Sequence, residues 1–136
     1  MTKIEQWLRQ IQELLECEDD DISVILVDDK EIKSINRQYL GKDRPTNVIS
    51  FPMREDGFGN VAPHLLGDIV VSVDTAERQS EESDIPLEDM ILFLMIHGTL
   101  HLLGYDHETS EEGRKQMVDK EDELFFTLTG YYLERE

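Results

Sequence analysis

The chain has 136 residues, with 13 lysines and arginines against 31 aspartates and glutamates, for a net charge of −18. That length suits one domain, 1–136, around one hydrophobic core. The acidity argues against a protein that coats nucleic acid at large, because phosphate binding is driven by Lys and Arg. A single cysteine, Cys17, excludes a disulfide framework and a Cys-rich zinc finger. No apolar run approaches the ~20 residues of a membrane span, and the first residues lack a signal-peptide pattern. The expectation is a soluble, cytoplasmic chain with no membrane partner.

Ile4, Trp7, Leu8, Ile11, Leu14 and Leu15 recur at helical spacing, so residues 2–17 are expected to form an amphipathic helix. Ile22–Val27 is rich in β-branched residues and is expected to be a buried strand. Asp28 and Glu31 form a capping box for a second helix, whose apolar stripe is Ile32, Ile35 and Tyr39 and whose stop is Gly41. Pro45 favours an extended entry into a second strand, Val48–Met53. Residues 54–65, with Gly57, Gly59, Asn60 and Pro63, suggest a loop or long hairpin connection; His64 within it is expected on the surface.

Leu66–Val73 is expected to be the third strand, and Asp74 to cap a helix running to about Ser83. Pro86 suits the start of the next helix, whose Met90–Leu103 stretch is apolar on nearly every side. Gly104 then stops it. Thr109 and Glu112 form another capping box, before a last helix from about Ser110 to Leu128 with Met117, Val118, Leu124, Phe125 and Leu128 facing inward. Strands and helices without strict alternation indicate an α+β fold, a small mixed sheet packed with helices.

The charge is uneven. Residues 30–54 hold six basic side chains (Lys30, Lys33, Arg37, Lys42, Arg44, Arg54) against two acidic ones. A local anion site fits this segment, as does an ordinary solvated face.

Three of the four histidines fall within eleven residues: His97, His101 and His107. His97 and His101, four apart on a helix, share one face and can grip one metal ion. Gly104 can turn the chain back so that His107 reaches the same ion. Three imidazoles suit Zn2+ with a fourth position open, the pattern of a catalytic site. The spacing matches the metzincin proteases, but their general base, a glutamate after the first histidine, is here Gly98. Peptide hydrolysis therefore lacks its base, and phosphodiester cleavage fits better, since a metal can polarise a phosphoryl oxygen while cations hold the developing charge. A zinc deaminase would need a His-x-Glu and a Cys-x-x-Cys that are lacking.

The run HGTLHLLGYDH, His97–His107, resembles the signature of the bacterial YbeY family of endoribonucleases. The stretches GKDRPTNVISFP, residues 41–52, and LGDI, residues 66–69, are similar to two further motifs of that family, in the same order. The resemblance implies a zincin-like α+β fold and a single-strand-specific, zinc-dependent endoribonuclease. It implies action in 16S rRNA 3′-end maturation and ribosome quality control. One zinc per chain would be held by His97, His101 and His107. Partners would be single-stranded RNA (the 16S precursor) and the small ribosomal subunit, with no DNA. The family commonly carries an arginine after the tyrosine matching Tyr39; here that position is Leu40, leaving Arg37 or Arg44 to supply the charge.

Arg37, Lys42 and Arg44 are therefore the candidates for RNA phosphates. Asp106 either orients a ligand histidine, acts as a base, or simply forms a turn beside Gly104. Asp68 is expected to make a structural hydrogen bond near the site, and Ser50 to support backbone. Attack by hydroxide and attack by the RNA's own 2′-OH both fit. Two other functions remain open at this point: a zincin-like hydrolase of a peptide or small substrate, and a non-enzymatic zinc module that binds the ribosome.

Overall fold

The computed structural model describes residues 2–53, 65–106, 108 and 110–134. Three strands, β1 (Asp21–Val27), β2 (Val48–Pro52) and β3 (Leu65–Ser72), form one sheet in the order β1-β3-β2. β1 runs parallel to β3, with Val27 opposite Ser72, and β2 runs antiparallel to it, with Val48 opposite Val71 and Pro52 opposite Gly67. Among the described residues five helices surround the sheet: α1 (Lys3–Leu14), α2 (Asp29–Leu40), α3 (Val73–Ser83), α4 (Leu87–Leu102) and α5 (Glu111–Thr129). The connection expected at 54–65 lies, but for Leu65, outside the described residues, and His64 with it.

The molecule is built around α4. Met90, Leu92, Met95, Ile96 and Leu100 are buried on it, and it packs against β2, β3, α1, α3 and α5. A helix apolar on all sides is stable in water only when neighbours cover all of them. No single helix among the described residues is long and apolar enough to cross a membrane. On the other face of the sheet, α2 adds a smaller cluster of Val27, Ile32, Ile49 and Val70.

Two glycines set how closely the layers approach. At Gly67 φ is +152°, and a Cβ would fall 2.3 Å from the Phe51 carbonyl oxygen and 2.7 Å from Leu102 Cδ2. At Gly98 a Cβ would fall 2.8 Å from Ile69 Cγ2. Both positions admit only a hydrogen where β3 meets β2 and α4.

Several caps stand as the sequence suggests. Asp28 accepts from the Glu31 N–H at 2.8 Å, and Gly41 ends α2 in the left-handed conformation at φ +71°. Others differ. Ser72, not Asp74, caps α3: its hydroxyl accepts from the Thr75 N–H and donates to Asp29 Oδ1 at 2.6 Å, while Asp74 accepts from the Asp29 N–H. The helix thus starts immediately after β3, leaving Asp74 in its first turn. Ser110 caps α5, accepting from the Gly113 N–H at 2.9 Å; Thr109 lies outside the described residues.

β1 is a strand, but among the described residues it is an edge strand and not a buried one. Only Val27 is buried, while Ile25 and Leu26 are 46% and 43% exposed. β-branched composition reports fit to a pleated surface and does not say which side of the sheet a neighbour will cover. Tyr39 likewise leaves the α2 stripe: it is 63% exposed and meets the Phe51 ring edge-on.

At the α2–α3 junction, Asp29 accepts hydrogen bonds from the Ser72 and Thr75 hydroxyls, both at 2.6 Å, and from Arg78 at 2.8 Å. These donors, the hydroxyls first, hold its carboxyl down to about 2.

Candidate active site

A cleft of about 590 Å³ opens between the C-terminal end of α4 and the segment that joins α2 to β2. His97 and His101 line one wall, and Lys42 and Arg44 line the other; Val48, Ser50 and Pro52 of β2 form the floor. Beyond α4, Tyr105 and Asp106 complete the rim.

The two histidine rings are one helical turn apart, with centroids 4.7 Å apart and planes at 75°. Imidazoles at this separation, both half-buried and turned to one cleft, fit a pair of nitrogen ligands on one ion. The third expected ligand, His107, lies outside the described residues, and among those described no three His, Cys, Asp or Glu side chains gather as a metal site. Gly104 has φ +100°, a positive value that glycine adopts freely, just past the end of α4.

The position of His97 is set from two sides. Below it, the Ser50 hydroxyl donates to the Gly98 carbonyl at 3.2 Å, tying β2 to α4. This is the supporting role expected of Ser50. Beside it, His97 Nδ1 is hydrogen-bonded to Glu121 Oε2 at 2.6 Å. Glu121 sits on α5 and is 2% exposed, in the same buried stripe as Met117, Leu124 and Phe125.

Sequence reasoning missed Glu121. The signal was available: a carboxylate four residues after Met117 and three before Leu124 occupies an apolar stripe, where a charge needs a partner.

Asp106 accepts from the Glu108 N–H at 2.8 Å, which makes it a turn-former, and it also lines the cleft. Asp68 shares the face of β3 that carries Val70, packed toward α2, so alternation places it on the sheet face opposite α4. Arg37 is exposed on α2 and is not one of the cleft-lining residues, whereas Lys42 and Arg44 are. Leu40, the residue after Tyr39, does line the cleft, half exposed.

The segment bearing Lys42 and Arg44 is anchored from beneath. Asn36, buried on α2, donates from Nδ2 to the Arg44 carbonyl at 2.9 Å. Asn47 accepts from the Val48 N–H at 2.8 Å and donates to Gln79 on α3 at 3.3 Å.

An α+β domain of the zincin-like kind, with histidines on its central helix facing a cleft floored by an edge strand, is the class that these features define. The family described as Endoribonuclease YbeY matches residues 1–129, and the chain belongs to that family. It is 48% identical over 135 residues to the Endoribonuclease YbeY of Syntrophus aciditrophicus, covering 98% of this chain and 84% of that one. It is 50% identical over 111 residues to the Geobacter sulfurreducens protein of the same name, covering 81% and 74%. Among solved structures it is similar to the solution structure of TM1509 from Thermotoga maritima. That match has a TM-score of 0.64 at 35% identity and covers 96% of this chain and 86% of the other.

Proposed function

We propose that this protein is a metal-dependent endoribonuclease that cleaves single-stranded RNA, in the cytoplasm, during maturation of the 16S rRNA 3′ end and in ribosome quality control. Its membership of the endoribonuclease family supports the activity. The observation that carries the site is the pairing of His97 and His101 on one wall of a cleft with Lys42 and Arg44 on the other.

His97, His101 and His107 are the residues that would hold one zinc. Bound there, the metal would polarise a phosphoryl oxygen and acidify water. The chain's own groups supply the rest. Lys42 and Arg44 bind RNA phosphates. The C-terminal turn of α4, fixed through Ser50 and Glu121, holds the histidines at constant spacing. Asp106, at the rim, is placed to orient a ligand or take a proton.

Peptide hydrolysis is disfavoured by packing as well as by sequence. The general base of a metzincin protease would stand at Gly98, where even a Cβ meets Ile69.

The test is metal analysis together with cleavage of a single-stranded RNA, with and without chelator, on wild type and on a His97→Ala/His101→Ala variant. Loss of cleavage on chelation and in the variant is expected. Full-rate cleavage by the folded double variant would overturn the assignment. A 2′,3′-cyclic phosphate at the product ends identifies attack by the RNA's own hydroxyl.

A further inference from the structure

We infer that Glu121 is a positioning residue that sets His97 to bind the metal through Nε2. The inference rests on the metal reading above and deepens it.

An imidazole has two nitrogens and, when neutral, one proton; the partner of one nitrogen decides the role of the other. His97 Nδ1 lies 2.6 Å from Glu121 Oε2, at the short end for a hydrogen bond between a ring nitrogen and a carboxylate. A carboxylate accepts and does not donate, so the proton belongs on Nδ1. The lone pair then belongs on Nε2, the ring nitrogen directed away from the carboxylate. A carboxylate in this position also stops the ring rotating about its Cβ–Cγ bond.

The surroundings make the pairing specific. The Glu121 side chain is 3% exposed and the His97 side chain 25%, so the carboxylate is shielded from water while the imidazole reaches the cleft. A carboxylate buried beside Met117, Leu124 and Phe125 is costly for folding alone, because an apolar residue of the same volume would pack there without desolvating a charge. Its position is explained if it acts on His97. The pairing also ties α5 to the wall of the cleft, so the helix that follows the histidine motif takes part in the site without lining it.

The test compares zinc affinity and metal-free stability in wild type and Glu121→Gln, by competition with a chromophoric chelator and by thermal melting. Zinc affinity is expected to fall about 10–100-fold, while the metal-free protein melts at or above the wild-type temperature. The effect should vanish when the same change is made in a His97→Ala background, because Glu121 acts through that ring. A readout on the unaltered protein stands beside it: 15N-correlated NMR of metal-free wild type, at a pH where imidazoles are neutral, should show His97 as the Nδ1–H tautomer.

A Glu121→Gln protein that binds zinc like wild type and only melts lower overturns the inference and leaves the metal site standing. So does an Nε2–H tautomer for His97. Wild type that binds no zinc overturns the metal reading itself, and this inference with it.

Discussion

The two walls of the cleft are built in opposite ways. The α4 wall has the hydrophobic core behind it: Met95, Ile96 and Leu100 are fully buried, and hydrogen bonds from Ser50 and to Glu121 fix the turn that carries the histidines. The opposite wall, from Gly41 to Pro45, is exposed throughout and is anchored through the Arg44 carbonyl to Asn36. Metal ligation needs atoms held at fixed separations, so the packed helix suits the metal site proposed there. Phosphate binding by long cationic side chains tolerates variation in position, so a loop suffices. The contrast predicts that damage to the first wall affects chemistry and folding, and damage to the second affects substrate affinity.

His101→Ala tests the first half most severely. RNA cleavage is expected to fall by about 10³-fold or more with the fold intact, since on the proposed reading a metal ligand is removed. Circular dichroism and a cleavage assay check it. Gly98→Ala comes next: driving a methyl group against Ile69 should cost about 1–3 kcal/mol in denaturant unfolding. A neutral result would mean that the helix and sheet are less closely packed than the Gly98 contacts indicate.

These two sites also show what the sequence could reveal. The histidine motif was legible because its geometry is local: i and i+4 on one helix, then a glycine that reverses the chain. The caps of α2 at Asp28 and Gly41 were legible for the same reason. Glu121 was not, because its partner is 24 residues away and α5 is rich in similar acids whose burial depends on tertiary packing. Gly98 was noticed for the carboxylate it lacks; its closeness to Ile69 depends on how α4 crosses the sheet. The edge position of β1 escaped for a comparable reason, since strand order is not written in a strand's own residues. Arg37 and Arg44 looked equivalent in charge and differ only in which the fold turns to the cleft.

For the second wall, Asn36→Ala removes the donor to the Arg44 carbonyl. It should cost about 1–2 kcal/mol and raise KM for RNA several-fold, with zinc affinity unchanged. A fall in zinc affinity would show that the two walls are coupled.

Asp29→Asn loosens the other end of the same helix, by about 1 kcal/mol at neutral pH. The folded carboxyl is depressed to about 2, below its ordinary value of 3.8. Its contribution is therefore complete above about pH 4 and is lost as pH falls through 2. The gap between variant and wild type in urea unfolding should narrow over that range.

The smallest expected change is Arg44→Ala: RNA binding weakened several-fold, and the slope of log affinity against log salt reduced by about 0.7, one single-strand phosphate contact.

The bare edge of β1 gives the acidity of the chain a further meaning. Among the described residues β1 pairs on one side only, with β3, and it presents Ile25 and Leu26 to solvent. An open apolar strand edge invites a second copy to add its own strand. The sequence brackets this edge with Glu18–Asp20 before it and Asp28–Asp29 after it, within a molecule of net charge −18. Mutual repulsion keeps such edges apart, and salt or a pH near the pI of about 4.4 weakens it. Negative charge of this size opposes the close approach of two such edges, just as it opposes the approach of any polyanion away from the basic segment.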